Sequence, residues 1–173
     1  MKRIGIAVLL LSLTLRPAMA ESPLQTVPHV DLDRYMGKWY EIARLPNRFE
    51  KKCDRDVTAE YARTGTTVSV RNTCIQANGQ PKVADGKAKL VDPVSNARLK
   101  VTFFWPFYGN YWIIGLDSDY RWAIVGEPSR RYLWVLSRTP TLPEQTLQEI
   151  RKQIEASGYT PSALIYPKQT GSR

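Results

Sequence analysis

The sequence predicts an all-β domain: an eight-stranded antiparallel up-and-down β-barrel with one C-terminal α-helix packed outside it. Three observations lead there. Between residues 38 and 137 short segments rich in Val, Ile, Tyr, Phe, Trp and Thr alternate with turn residues, as strands in a β-domain do. The connections between them are short, which suits antiparallel neighbours and leaves no room for crossover helices. An open sheet of that many strands would keep two unpaired edges, and closing it into a barrel removes both.

The elements follow in order. Lys2 and Arg3 precede an apolar run from Ile4 to Leu15, and Ala18-Met19-Ala20 supplies small residues before a cut, so residues 1–20 read as a secretory signal peptide too short to span a membrane. Its removal leaves 153 residues, enough for one domain with a sizeable core, and lowers the formal charge from +9 to +6 as Lys2, Arg3 and Arg16 leave. No cysteine follows the apolar run, so the exported chain is expected to be soluble and periplasmic, with secretion or association with the outer membrane as alternatives. Residues 21–30, with Pro23 and Pro28, read as a flexible leader; 31–167 form the barrel domain, and 168–173 a disordered tail. Strands are expected at 38–45, 56–62, 67–75, 84–92, 97–104, 111–117, 121–126 and 131–137. Turn residues separate them at Arg63-Thr64-Gly65, Asn78-Gly79, Asp92-Pro93, Pro106 to Gly109, Asp117-Ser118-Asp119 and Glu127-Pro128-Ser129. After these, Thr141 and Glu144 have the spacing of a capping box, Leu147, Ile150 and Ile154 form an apolar stripe, and Gly158 is placed to end the helix. Ala163 to Tyr166 is a candidate ninth strand.

Composition excludes several functions. His29 is the only histidine and lies in the leader, which leaves no histidine-based triad and no transition-metal site. Gly79 and Gly86 are isolated, so no phosphate-cradling loop is present, and no cofactor is expected. Basic residues are scattered, with short clusters only at Lys51-Lys52 and Arg130-Arg131. That pattern carries no nucleic-acid motif and reads as solubility, with attraction to an anionic membrane surface as the sharper alternative. No catalytic residue is assigned, and the chain reads as a binder, not an enzyme.

Export makes a disulfide the natural state of two cysteines. A two-residue turn at Arg63-Thr64 would set Cys53 opposite Cys74, Val57 opposite Val70 and Ala59 opposite Val68. A bridge between the second and third strands follows, closing a loop whose constraint stabilises by about 3 kcal/mol.

Gly37 to Arg44 (GKWYEIAR), Ser118-Asp119-Tyr120 and Arg138 resemble, in order and interval, the three blocks of the lipocalin family. Pro106 to Gly109 (PFYG) and Tyr132 to Pro140 (YLWVLSRTP) resemble its bacterial lipocalin and apolipoprotein D branch. The resemblance spans roughly residues 30–167; known bacterial members have a cysteine at the end of the signal that this chain lacks. It implies a barrel that binds and carries a small hydrophobic or amphiphilic ligand, a fatty acid or lysophospholipid, in lipid storage, transport or envelope maintenance; a monomer or weak dimer is expected. Strand alternation puts Gly37, Trp39, Asp119, Tyr120 and Arg138 at one end, a structural base where Arg138 stacks on Trp39. The mouth at the other end is formed by the loop 46–54 and by the turns at Asn78-Gly79, Pro106 to Gly109 and Glu127-Pro128. The resemblance favours Tyr108 and Trp134 as pocket residues; strand parity and the aromatic cluster at the mouth add Ala59, Tyr61, Val70, Phe103, Trp105, Tyr111 and Leu136. Which face of 131–137 lines the barrel stays open. Arg48, Lys51, Lys52 and Arg130 are the candidates for a ligand head group at the mouth. Two alternatives stand beside the carrier: a scaffold that docks a protein on its aromatic mouth, and a rare lipocalin-type enzyme.

Overall fold

The computed structural model describes residues 22–171, so the expected signal peptide lies outside the described residues. Eight strands close into a barrel in chain order, each antiparallel to the next: β1 (Gly37–Arg44), β2 (Cys53–Thr64), β3 (Thr67–Gln76), β4 (Pro81–Leu90), β5 (Arg98–Phe104), β6 (Phe107–Leu116), β7 (Trp122–Gly126) and β8 (Leu133–Ser137). β8 pairs back onto β1, from Tyr40 opposite Ser137 to Arg44 opposite Trp134, so no edge is left open.

Two apolar layers follow from strand alternation. Trp39, Ala59, Tyr61, Val68, Val70, Ala88, Leu99, Ile113, Val125 and Leu136 fill the barrel. Ile42, Trp122, Ile124, Leu133 and Val135 point outward and meet Ile150 and Ile154 of the C-terminal helix α2 (Glu144–Ala156). This settles β8: Trp134 and Leu136 face inward, Leu133 and Val135 face the helix.

Several expectations need correction. The β2–β3 hairpin turns at Gly65-Thr66, two residues after Arg63-Thr64, because Gly65 takes the positive φ (+61°) the turn requires. Val70 therefore faces Tyr61 and not Val57. The β5–β6 hairpin reverses at Trp105-Pro106, and Gly109 already lies in β6. Thr141 does not cap α2. Pro143 holds the preceding residue out of the helical region, so the helix starts at Glu144, with no side-chain cap, and the Glu144 carboxylate bonds Arg151 instead (2.8 Å). Gly158 (φ +82°) does end the helix, its N–H donating to the Glu155 carbonyl. The candidate ninth strand is a short 3-10 turn (Pro161–Ala163) followed by one bridge from Ile165 to Arg44. Residues 22–30 are packed, not loose: Leu24 and Val30 are buried, and the Val27 N–H bonds the Ile113 carbonyl. The expected tail is tied down as far as Thr170, whose N–H and hydroxyl both donate to Asp56 while Gln169 bonds the carbonyls of Glu41 and Val57.

Candidate functional site: the barrel interior and its two ends

A one-turn helix absent from the expected elements, α1 (Leu32–Tyr35), sits across one end of the barrel. Asp31 caps it by accepting from the N–H groups of Asp33 and Arg34, and Leu32 and Tyr35 are buried beneath. Arg138 lies 3.7 Å over the Trp39 ring and donates to the carbonyls of Lys38, Arg34 and Met36. Gly37 takes a positive φ (+92°) that residues with a side chain rarely adopt, and the chain passes the guanidinium there. Tyr120 joins them, its hydroxyl accepting from the Asp31 N–H. Four of the five residues expected at the base are thus in contact there. Asp119 is not among them: its carboxylate is exposed, and the neighbouring Asp117 organises the turn by accepting from the N–H groups of Asp119 and Arg121.

Above this floor three tyrosine hydroxyls form a chain, Tyr35 to Tyr111 at 2.8 Å and Tyr111 to Tyr61 at 2.9 Å. Burial raises all three phenols, that of Tyr61 to about 12, so they stay neutral hydrogen-bonding groups. They line a cavity of about 10 Å³, room for a single water, together with Leu32, Met36, Val68, Val70, Ala88, Leu99 and Val101.

Nearer the open end the interior turns charged. β1 carries a bulge between Glu41 and Ala43, so Glu41 faces inward beside Leu136 while Arg44 faces inward beside Trp134. Without the extra residue Arg44 would point at the helix. The Arg44 Nη1 donates to Glu41 at 2.6 Å, and its Nε lies 2.9 Å from a Glu50 oxygen without aligning its N–H. Glu50 comes from the loop 45–52 and also accepts the indole N–H of Trp134 at 3.0 Å. One guanidinium thus serves two carboxylates. Burial, with the charge of Glu50 added to it, pushes the Glu41 carboxyl well above 4.5, which is how the trio avoids a net buried charge. On the facing sheet the buried Asn72 Oδ1 has no partner among the described residues, on the same face as Val70.

The loop 45–52 closes over this group. Its Phe49 carbonyl accepts from Lys82 (2.8 Å) across the mouth, and the Phe49 ring packs on Tyr132, which stacks on Trp134. Cys53 follows and is bonded to Cys74, as expected. The register set by the Gly65-Thr66 turn would not by itself have put them together: irregularities at Cys53/Arg55 and Arg55/Thr58, with Asp56 at φ +53°, bring the two sulfurs into reach.

The expected ligand contacts divide in two. Ala59, Tyr61, Val70, Phe103, Tyr111, Trp134 and Leu136 belong to the interior cluster. Tyr108 does not; counting back from inward Ile113 and Tyr111 it lies on the outer face of β6, under Lys89. Trp105 is 82% exposed at the hairpin tip. Of the head-group candidates, Arg48, Lys51 and Lys52 are exposed on the lid, but Arg130 turns outward to the carbonyls of Ser157 and Ser22. Tyr35, Glu41, Arg44, Glu50 and Asn72 went unremarked as site residues. Glu41 was legible, since alternation from Trp39 puts it on the inner face; Arg44 was not, because nothing in the sequence marks the bulge.

A closed antiparallel barrel, sealed at one end, apolar above its floor, charged near the other end and covered there by a loop, has the form of a small-molecule-binding cup. Residues 30–169 match the lipocalin-like domain family, and the chain belongs to the lipocalins. It is 42% identical over 148 residues to the outer membrane lipoprotein Blc of Citrobacter freundii, covering 84% of this chain and 83% of that one. Apolipoprotein D of Bos taurus is 30% identical over 131 residues, covering 70% and 67%. The same fold recurs in insecticyanin of the tobacco hornworm Manduca sexta, with a TM-score of 0.71 over 87% of each chain at 21% identity.

Proposed function

We propose that this chain carries a single-chain amphiphile, a fatty acid or lysophospholipid, in the envelope of the cell, exported like the outer membrane lipoproteins it is similar to. The observation that carries the reading is the axial order of the interior: apolar from the tyrosine chain upward, then Arg44 and Trp134 just beneath the lid, both held by its Glu50. An acyl chain laid along that axis gains about 0.8 kcal/mol per buried methylene. The cavity is too small to admit it as it stands, so entry requires the interior side chains around it to repack as well as the loop 45–52 to withdraw. Withdrawal removes Glu50 from Arg44 and Trp134, and the ligand's carboxylate or phosphate takes its place on the guanidinium. Charge is conserved by the exchange. The unpartnered Asn72 Oδ1 offers an acceptor to a glycerol hydroxyl, which favours a lysophospholipid of the two.

The test is titration of the purified mature chain with lysophosphatidylglycerol and with a fatty acid, read by tryptophan quenching and by native mass spectrometry. One lipid per chain is expected. Trp134→Asp should lose binding while keeping the circular dichroism of a folded barrel at a lowered urea midpoint, and unchanged affinity would remove Trp134 from the pocket. An affinity unaltered in Arg44→Gln would overturn the exchange, and failure of the wild type to bind either lipid would overturn the carrier.

A further inference from the structure

The open end bears a surface that cargo binding does not use. The β5–β6 hairpin projects Phe104, Trp105 and Phe107, exposed by 81%, 82% and 78%, with Tyr108 beside them. Phe49 on the lid adds a fifth exposed aromatic at the same end of the barrel. Folding normally buries such side chains, and a patch of them left in water marks a contact. The charges around them are one-sided. In the loops at this end Arg48, Lys51, Lys52 and Arg131 are exposed, while the acids Glu50 and Glu127 turn inward, Glu50 to Arg44 and Trp134, Glu127 to the N–H groups of Ser129, Arg131 and Tyr132. Asp54, the next acid along β2, is already paired with Arg55.

We infer that this rim docks the protein, mouth first, on a bilayer rich in anionic phospholipid. Exposed indole and phenyl rings between cations have the chemistry of the headgroup layer: the rings enter the interface and the lysines and arginines face the phosphates. A protein partner would need acids to answer these cations and a groove for the hairpin tip; a membrane offers both without shape matching. Docking faces the lid to the lipid surface, so an amphiphile passes between barrel and bilayer without crossing water. The inference concerns the outer rim and stands whether or not the barrel holds a cargo.

Sedimentation of the mature chain with vesicles of phosphatidylcholine, with and without phosphatidylglycerol, tests it. Partition should rise at least about tenfold with the anionic lipid, and fall by about tenfold or more in Lys51→Glu/Lys52→Glu or on raising the salt. Trp105→Ser/Phe107→Ser should abolish it while leaving the affinity for soluble lysophosphatidylglycerol unchanged, which separates docking from cargo binding. Absence of binding to anionic vesicles at low salt would overturn the inference, as would binding that survives both variants. A dimer in sedimentation velocity that Trp105→Ser/Phe107→Ser dissolves would also overturn it, by giving the rim to a second copy.

Discussion

The two ends of this barrel are built by the same alternation of hairpins, yet they solve opposite problems. At the closed end the Arg138 guanidinium is spent on four backbone carbonyls and the Trp39 ring. The cations Arg63 and Arg121 are answered by Asp33 and Asp117. Among the described residues its exposed large apolar side chains are Val91 and Val94, with no aromatic. At the open end aromatic rings stand in water, and among the described residues the exposed cations face no exposed acid in the loops. Satisfied groups have nothing left to offer a ligand. The contrast teaches that stability is concentrated at the floor, and that the rim is free to serve binding because folding does not depend on it.

Substitutions should reveal this gradient. The largest loss is expected from Trp39→Ala, which empties a fully buried site and strips Arg138 of its stack, at about 4 kcal/mol in urea unfolding. Arg138→Met should follow at about 3 kcal/mol, since it leaves four carbonyls without their charged donor. Loss of less than about 1 kcal/mol in either would break the comparison. At the open end the one comparable contribution is covalent: Cys53→Ser/Cys74→Ser should cost about 3 kcal/mol by freeing the unfolded chain, with the mouth still able to bind lipid.

Between the ends, Glu41 makes stability depend on pH. Burial and the charge of Glu50 raise its carboxyl in the folded chain, so folding favours the protonated form. That contribution is whole below about pH 4.5 and is lost as pH rises through the raised value. Glu41→Gln keeps the side chain neutral. The urea midpoint of the variant should therefore gain on the wild type as pH rises from about 5 to about 9, and a constant difference would show that Glu41 is ionised throughout.

Most of the fold was legible because a closed antiparallel barrel repeats one local rule, alternation broken by turns. Trp39 and Arg138 could be brought together from strand direction alone. What escaped was set by single residues that break the rule. The glycine at 65 rather than the pair at 63–64 makes the β2–β3 turn, which moved that register by four while preserving which side chains face inward. The disulfide survived because the irregularities in β2 made up the distance. Tyr108 was misplaced because β6 begins at Phe107, putting a residue expected in a turn on the strand's outer face. Arg44 was missed for the converse reason, a bulge that turns it inward. Face is readable from parity only as far as the nearest bulge.

The smallest effect is expected where the exposed apolar area is greatest. Trp105 and Phe107 touch solvent over most of their surface, so Trp105→Ser/Phe107→Ser removes little burial and should change stability by less than about 0.5 kcal/mol. Phe103, one residue before Phe104 on the same hairpin, faces the interior and lies against Gly86 so closely that an added Cβ there would meet its ring at 2.8 Å. Phe103→Ser should cost about 2 kcal/mol, and Gly86→Ala about 1–2 kcal/mol through overpacking. Urea midpoints of the three variants side by side measure how sharply the barrel's interior ends. A rim variant that destabilises as much as Phe103→Ser would mean the hairpin tip is part of the core, and the division between a floor that folds and a rim that binds would fall.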